Sequence, residues 1–101
     1  MEPISLIMAA LAFCGPKLAE GVLGEAAKDA YDALKNLIIS HSADKEKTQS
    51  LIDDHAADPD TWEKPLQKTL EQTGVISDNA ALGQAKAIMQ IADPTGSSQG
   101  K

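Results

Sequence analysis

Residues 3–16 of this chain carry no charged side chain, although 24% of its 101 residues are charged. The stretch reads PISLIMAALAFCGP and precedes every other regular pattern in the sequence. A segment of this kind is a cleaved export signal, a helix inside a soluble core, or a helix that enters a membrane. Most of what the sequence indicates about function depends on which of the three it is.

An export signal needs positive charge before its apolar run. Only Met1 and Glu2 precede the first proline, and neither supplies it. The letters LAFCG are similar to a lipoprotein cleavage box, but Phe13 occupies a position where a small residue is expected. We therefore expect an unprocessed chain, with a lipoprotein anchored through Cys14 as the least favoured alternative.

The length of the apolar stretch bears on the membrane interpretation. A transmembrane helix needs about twenty apolar residues, and the charge-free stretch has fourteen. It reaches the required length only if the helix continues past Gly15 and Pro16, since a helix over residues 4–23 would be about 30 Å long. Lys17 and Glu20 are three residues apart, where they partly neutralise each other. Composition favours a core helix that is surrounded by neighbours.

Ala and Leu dominate the apolar residues, and β-branched residues do not alternate, which predicts an all-α protein. Helical spacing and capping residues predict further helices over 24–41, 42–58, 60–73 and 77–92. Within the third of these we expect a capping box from Asp60 to Glu63 and a kink or a short first turn at Pro65. The sequence thus predicts one domain over 1–93, a four- to five-helix bundle with an apolar N-terminal helix, followed by a flexible polar tail or linker start over 94–101. The predicted core residues are Leu34, Ile38, Leu51, Trp62, Leu66, Leu70, Leu82 and Met89.

No catalytic or ligand-binding pattern is apparent in the sequence. His41 and His55 could bind a metal with Asp53 or Asp54, but there is no two-histidine spacing on one helix face, which favours structural histidines. Cys14 is expected to be an inert thiol in a reducing compartment. The net charge of −6 and the lack of a basic cluster make nucleic acid an unfavourable partner. We expect neither enzymatic activity nor a cofactor or metal.

Two stretches carry a resemblance to a known family: MEPISLIMAALA at residues 1–12 and KDAYDALKNLI at residues 28–38. They are followed by an Asp-Pro break and by an Ala-rich helix that ends in Asp-Pro and a polar tail. In this combination the chain resembles the bacterial Bell domains, taken to be counterparts of the fungal HeLo and HELL domains. These are N-terminal helical domains of bacterial immune and cell-death proteins.

The resemblance implies a non-enzymatic cell-death effector that rests in the cytoplasm. A C-terminal amyloid motif or an NLR-type signalling partner would cluster it into a homo-oligomer, whose N-terminal helices would then permeabilise the inner membrane. No amyloid motif follows in this sequence, and GSSQGK is similar to the start of a linker. The competing interpretation is a soluble homotypic adaptor that recruits other immune effectors. The residues to which the resemblance assigns membrane insertion are Ile4, Leu6, Ile7, Met8, Leu11 and Phe13.

Overall fold

The computed structural model describes residues 2–92, which form five α-helices and one short 3₁₀ helix, with no strand in that range. This confirms the predicted all-α bundle with an apolar N-terminal helix. The predicted polar tail at 94–101 lies outside the described residues. The helices are α1 (Pro3–Glu20), α2 (Glu25–Ser40), α3 (Lys45–Ala57), α4 (Pro59–Thr73) and α5 (Asn79–Ala92), with the 3₁₀ helix at Val75–Ser77.

Aspartate side chains begin three of the helices. The carboxylates of Asp44, Asp58 and Asp78 accept hydrogen bonds of 3.1, 3.4 and 2.8 Å from backbone N–H groups in the first turns of α3, α4 and α5. Such bonds satisfy N–H groups that have no partner within the helix. The predicted capping box from Asp60 is wrong, because Asp58, two residues earlier, caps α4 and Pro59 is its first residue.

Two helices end at a glycine in the left-handed conformation. Gly21 after α1 has φ 76°, and Gly74 after α4 has φ 77°. A side chain would be strained at these angles, so glycine is the residue that allows the turn. The N–H groups of Gly21 and Val22 donate back to the carbonyls of Leu18 and Lys17, at 3.1 and 3.0 Å. These bonds close α1 at the start of the sequence GVLG, so the helix ends at Glu20, three residues before the residue 23 that a 30 Å span from residue 4 requires.

The core lies where the apolar faces of all five helices meet. Four of the eight predicted core residues (Leu34, Ile38, Leu66 and Leu70) are fully buried. Three others (Leu51, Leu82 and Met89) are half-buried and pack against this cluster. Buried residues that the core prediction omitted include Tyr31 and Val75.

One ion pair and one histidine–aspartate hydrogen bond join separate helices. Lys35 Nζ lies 2.6 Å from Asp53 Oδ1, which links α2 to α3. His41 Nε2 lies 2.8 Å from Asp78 Oδ2, which links the end of α2 to the start of α5. Spacing predicts an inward His41, and this is wrong: the residue is exposed because α2 ends at Ser40, beyond the core.

Candidate functional site

The helix that carries the predicted membrane-inserting residues is the central helix of the bundle. α1 contacts α2, α3, α4, α5 and the 3₁₀ helix. It continues through Gly15 and Pro16 to Glu20, the continuation on which the membrane interpretation depends. Its 18 residues pass the length and composition criteria for a membrane span, which the core helix of a soluble protein also passes. Among residues 2–92, α1 alone meets them.

α1 is embedded on one side and open on the other. Five of its 18 residues are buried, namely Ile7, Ala10, Leu11, Cys14 and Gly15. Ser5 and Ala12 are exposed, and Ala9 is half-buried. The expectation that neighbours largely enclose the helix is therefore only partly met. Of the six predicted insertion residues, Ile7 and Leu11 are buried, whereas Ile4, Leu6, Met8 and Phe13 are half-buried against the core.

The C-terminal part of α1 combines close packing with a backbone irregularity. A Cβ built on Gly15 would lie 2.6 Å from the Cα of Ala56, so α1 and α3 touch backbone to backbone. Pro16 follows directly and has no N–H to donate to the carbonyl of Ala12. This turn of α1 therefore packs closely against α3, and it lacks one of the backbone hydrogen bonds of a regular helix.

Lys17, the single basic residue of α1, contacts an aromatic ring. Its Nζ lies 5.1 Å from the centroid of the Phe13 ring, one turn earlier. This is a cation–π distance, and the lysine stem also covers part of the helix surface. The predicted partner, Glu20, makes no ion pair with Lys17 in the described part of the chain. The charge at this end of α1 is therefore held near the helix by Phe13.

A groove of about 410 Å³ runs along the open side of the N-terminal half of α1. One wall is apolar and comes from α1, including Ile4 and Met8. The opposite wall comes from the first turns of α4 and includes Asp60 and Glu63. His55, near the end of α3, is 2% exposed and also lines the groove. We refer to this feature as the α1 groove.

His55 is held neutral in the α1 groove. Burial lowers the pKa of its imidazole below the usual value, and the nearby Glu63 carboxylate opposes this shift only in part. None of the side-chain hydrogen bonds of residues 2–92 involves the His55 ring, and since no fully buried side-chain nitrogen there lacks a partner, its unbonded nitrogen is open to the groove. A neutral imidazole has one donor and one acceptor nitrogen. The groove therefore contains a buried polar group with capacity to bind a ligand.

Trp62 was predicted to lie in the core, and the structure corrects this placement. It is partly exposed and lines a second groove, of about 440 Å³, between α3 and α4. Lys47, Leu51, Pro65 and Lys68 are among the other residues of this groove. Trp62 shares a helix face with Leu66 but lies at the edge of the buried stripe, where it lines this groove. Pro65 is exposed, and α4 continues through it without interruption.

The remaining candidates for chemistry are the metal-binding side chains and Cys14. Within residues 2–92, no group of three or more His, Cys, Asp or Glu side chains is placed to hold a metal ion. Cys14 is fully buried, and burial raises its pKa to about 11, so the thiolate is scarce at neutral pH. His41 and His55 lie in different parts of the bundle, one paired with Asp78 and the other facing the α1 groove.

No family model matches the chain, and searches of curated proteins and of solved structures found no match either. The resemblance to Bell domains therefore stays a prediction. The α1 groove could not be read from the sequence, because α1, α3 and α4 each contribute residues that are distant along the chain. In the sequence, His55 was the one residue that indicated a binding site here, and its spacing from other polar residues indicated no partner.

Proposed function

We propose that this chain is a non-enzymatic cell-death effector domain of bacterial immunity, which permeabilises the inner membrane through α1. At rest it is a cytoplasmic helical bundle. Clustering by an NLR-type or amyloid-motif partner brings copies together, α1 leaves the bundle, and the copies oligomerise at the lipid. The observation that carries the proposal is an 18-residue apolar helix of which only five residues are buried.

The dimensions of α1 support this role. Eighteen residues in a helix extend about 27 Å, close to the roughly 30 Å hydrocarbon thickness of a bilayer. Lys17 and Glu20, the charged residues of the helix, both lie in its last turn, where they can reach the interface. The open side bears small residues such as Ser5 and Ala12, which allow close contact between helices in lipid.

Release of α1 would also explain why oligomerisation accompanies activation. Ile7, Leu11 and Cys14 fill the centre of the bundle, so their departure exposes apolar side chains on the other helices. A large exposed apolar surface drives association. A second copy that offers the same surface is the nearest partner that could cover it. Clustering and helix release are therefore linked in this proposal, and each favours the other.

The second candidate is a soluble homotypic adaptor, in which α1 stays in the core. Two large apolar side chains outside the core favour it: Val22 is 65% exposed and Ile91 is 41% exposed. Exposed apolar residues of this kind can anchor a protein contact. In the adaptor, recruitment of other immune effectors would use the helix surfaces and would need no lipid.

Dye release from liposomes, with and without forced clustering, separates the two candidates. The chain fused to an inducible dimerisation module is added to vesicles of bacterial lipid, and leakage is recorded before and after the inducer. The effector leaks vesicles only after clustering. Oligomers that form on clustering and leave the vesicles intact would support the adaptor and contradict the effector.

Charge substitutions on the open side of α1 test whether this helix is the membrane element. Ala12→Glu places a charge at the helix centre, where a charged side chain costs about 3 kcal/mol in a bilayer. Ser5→Glu places the charge near the end, where the cost is smaller. Both positions are exposed, so the bundle should stay folded, and leakage should fall more for Ala12→Glu. Gln90→Glu, exposed on α5, is the matched control.

A further inference from the structure

The α1 groove combines an apolar wall with an acidic one. Ile4, Met8, Ala9 and Ala12 of α1 form the apolar side. The acidic side contains two carboxylates, on Asp60 and Glu63, and no Lys or Arg lines the groove. These carboxylates are exposed and unpaired by any basic side chain in the described part of the chain. A ligand that is apolar at one end and positively charged at the other matches this division.

His55 provides an independent indication of a ligand. The residue is 2% exposed, yet it lines the groove, and no side-chain hydrogen bond within residues 2–92 involves its ring. No fully buried side-chain nitrogen or oxygen of residues 2–92 lacks a partner, so the unbonded nitrogen of His55 reaches the groove, where water or a ligand can bind it. As a neutral imidazole it can accept a hydrogen bond from an N–H donor.

We propose that the α1 groove binds an alkylammonium ion, with the ammonium group between His55, Asp60 and Glu63 and the alkyl arm along Ile4 and Met8. The ammonium N–H groups donate to the imidazole and to the carboxylates. The arm covers apolar surface that water otherwise contacts. Because α1 forms one wall, the ligand contacts the helix only while that helix is in the bundle, whatever the chain does to membranes.

Titration of the full chain with n-pentylammonium chloride, followed by NMR of the two histidine rings, tests the site. The resonances of His55 should shift in a saturable way at pH 7.5, and those of His41, which contacts Asp78, should not. A His41→Gln variant assigns the two sets of resonances. 1-Pentanol has the same arm without the charge and should bind more weakly by about fivefold or more. Sodium chloride holds the ionic strength constant.

A double variant and its matched control test whether binding requires the carboxylate charges that line the groove. Asp60→Asn with Glu63→Gln should weaken binding of n-pentylammonium about fivefold. Asp32→Asn with Glu71→Gln changes the net charge equally, at exposed positions outside the groove, and should leave the affinity unchanged. The proposal is overturned if His55 shows no saturable shift, if pentanol binds equally well, or if both double variants weaken binding to the same extent.

Discussion

Gly15 of α1 and Ala56 of α3 touch through their backbones. A Cβ added to Gly15 would lie 2.6 Å from the Cα of Ala56 and 3.0 Å from its Cβ. Distances this short to backbone atoms leave no flexible group to move aside. Glycine at position 15 is therefore a packing requirement, and it sets how closely the apolar helix is held to its neighbour.

Gly15→Ala should destabilise the fold by about 1–3 kcal/mol, because the added methyl group forces α1 and α3 apart. Alanine favours a helix by about 1 kcal/mol over glycine, so the net loss lies toward the lower end of that range. Urea unfolding followed by circular dichroism measures it. If α1 release activates the domain, the same variant should also leak liposomes at a lower degree of clustering.

Gly83→Ala is the matched control for this substitution. Gly83 lies on α5, and a Cβ there would meet nothing within 4 Å. The change should stabilise the protein by about 0.5–1 kcal/mol through helix propensity alone. Equal effects of the two substitutions would contradict the close contact between α1 and α3.

Local sequence patterns predicted the helices but not their contacts. The number and order of helices followed from spacing. Capping depends on neighbouring residues, so the sequence offers Ser42 or Asp44 for α3 and Ser77 or Asp78 for α5, and the structure uses Asp44 and Asp78. The distance from Gly15 to Ala56 depends on how two helices cross. Nothing in either helix alone encodes that crossing, so the role of Gly15 became apparent only in the fold.

The surroundings of the Trp62 and His55 side chains could not be predicted from local sequence either. Periodicity places Trp62 on the face of Leu66, yet only the arrangement of α3 decides that its ring lies at the edge of the core. Spacing along α3 predicts that His55 or Ala56 faces inward, and His55 is buried. That it faces a groove with Asp60 and Glu63 depends on α1 and α4, which lie elsewhere along the chain.

Protonation of His55 should make stability depend on pH below neutrality. Its folded-state pKa is lowered from 6.5, mainly by burial, so the unfolded chain takes up a proton first as the pH falls. The free energy of unfolding is fully retained above pH 6.5 and decreases through the window between 6.5 and the folded pKa. The slope is at most about 1.4 kcal/mol per pH unit.

Urea unfolding at pH 7.5, 6.5 and 5.5 measures this dependence in the parent and in His55→Gln. The variant should be less stable at pH 7.5 and should have a flatter profile between 6.5 and 5.5. Asp78, whose pKa is lowered mainly by its hydrogen bond with His41, contributes to pH dependence only below about 3.8. A slope that persists in His55→Gln would assign the effect to another group.

Trp62→Ala should cost less than a substitution in the core. A fully buried Trp or Leu replaced by Ala costs about 3 kcal/mol or more, and partial exposure reduces the loss, so we expect about 1–2 kcal/mol for Trp62. Leu66→Ala, at a fully buried position of the same helix, is the comparison and should cost more. Native fluorescence should lie between that of free and of buried tryptophan, and emission like free tryptophan would contradict the placement.

Cys14 is a native reporter of whether α1 leaves the bundle. It is the single cysteine of the chain, it is fully buried, and its pKa is raised to about 11 by burial. In the resting protein it should react slowly with a membrane-permeant maleimide and quickly after unfolding in urea, because both exposure and thiolate fraction then rise. On clustering in the presence of vesicles, labelling should accelerate together with dye release.

The control for this measurement moves the thiol to an exposed position. Cys14→Ala with Ser50→Cys places the cysteine on the outer face of α3, where it should react quickly under all conditions. Mass spectrometry of protein from its host tests the lipoprotein alternative, which requires a diacylglycerol-modified chain that begins at Cys14. If vesicles leak while Cys14 stays as slow as in the resting protein, α1 remains in the core during leakage. The membrane role would then belong to another surface of the bundle.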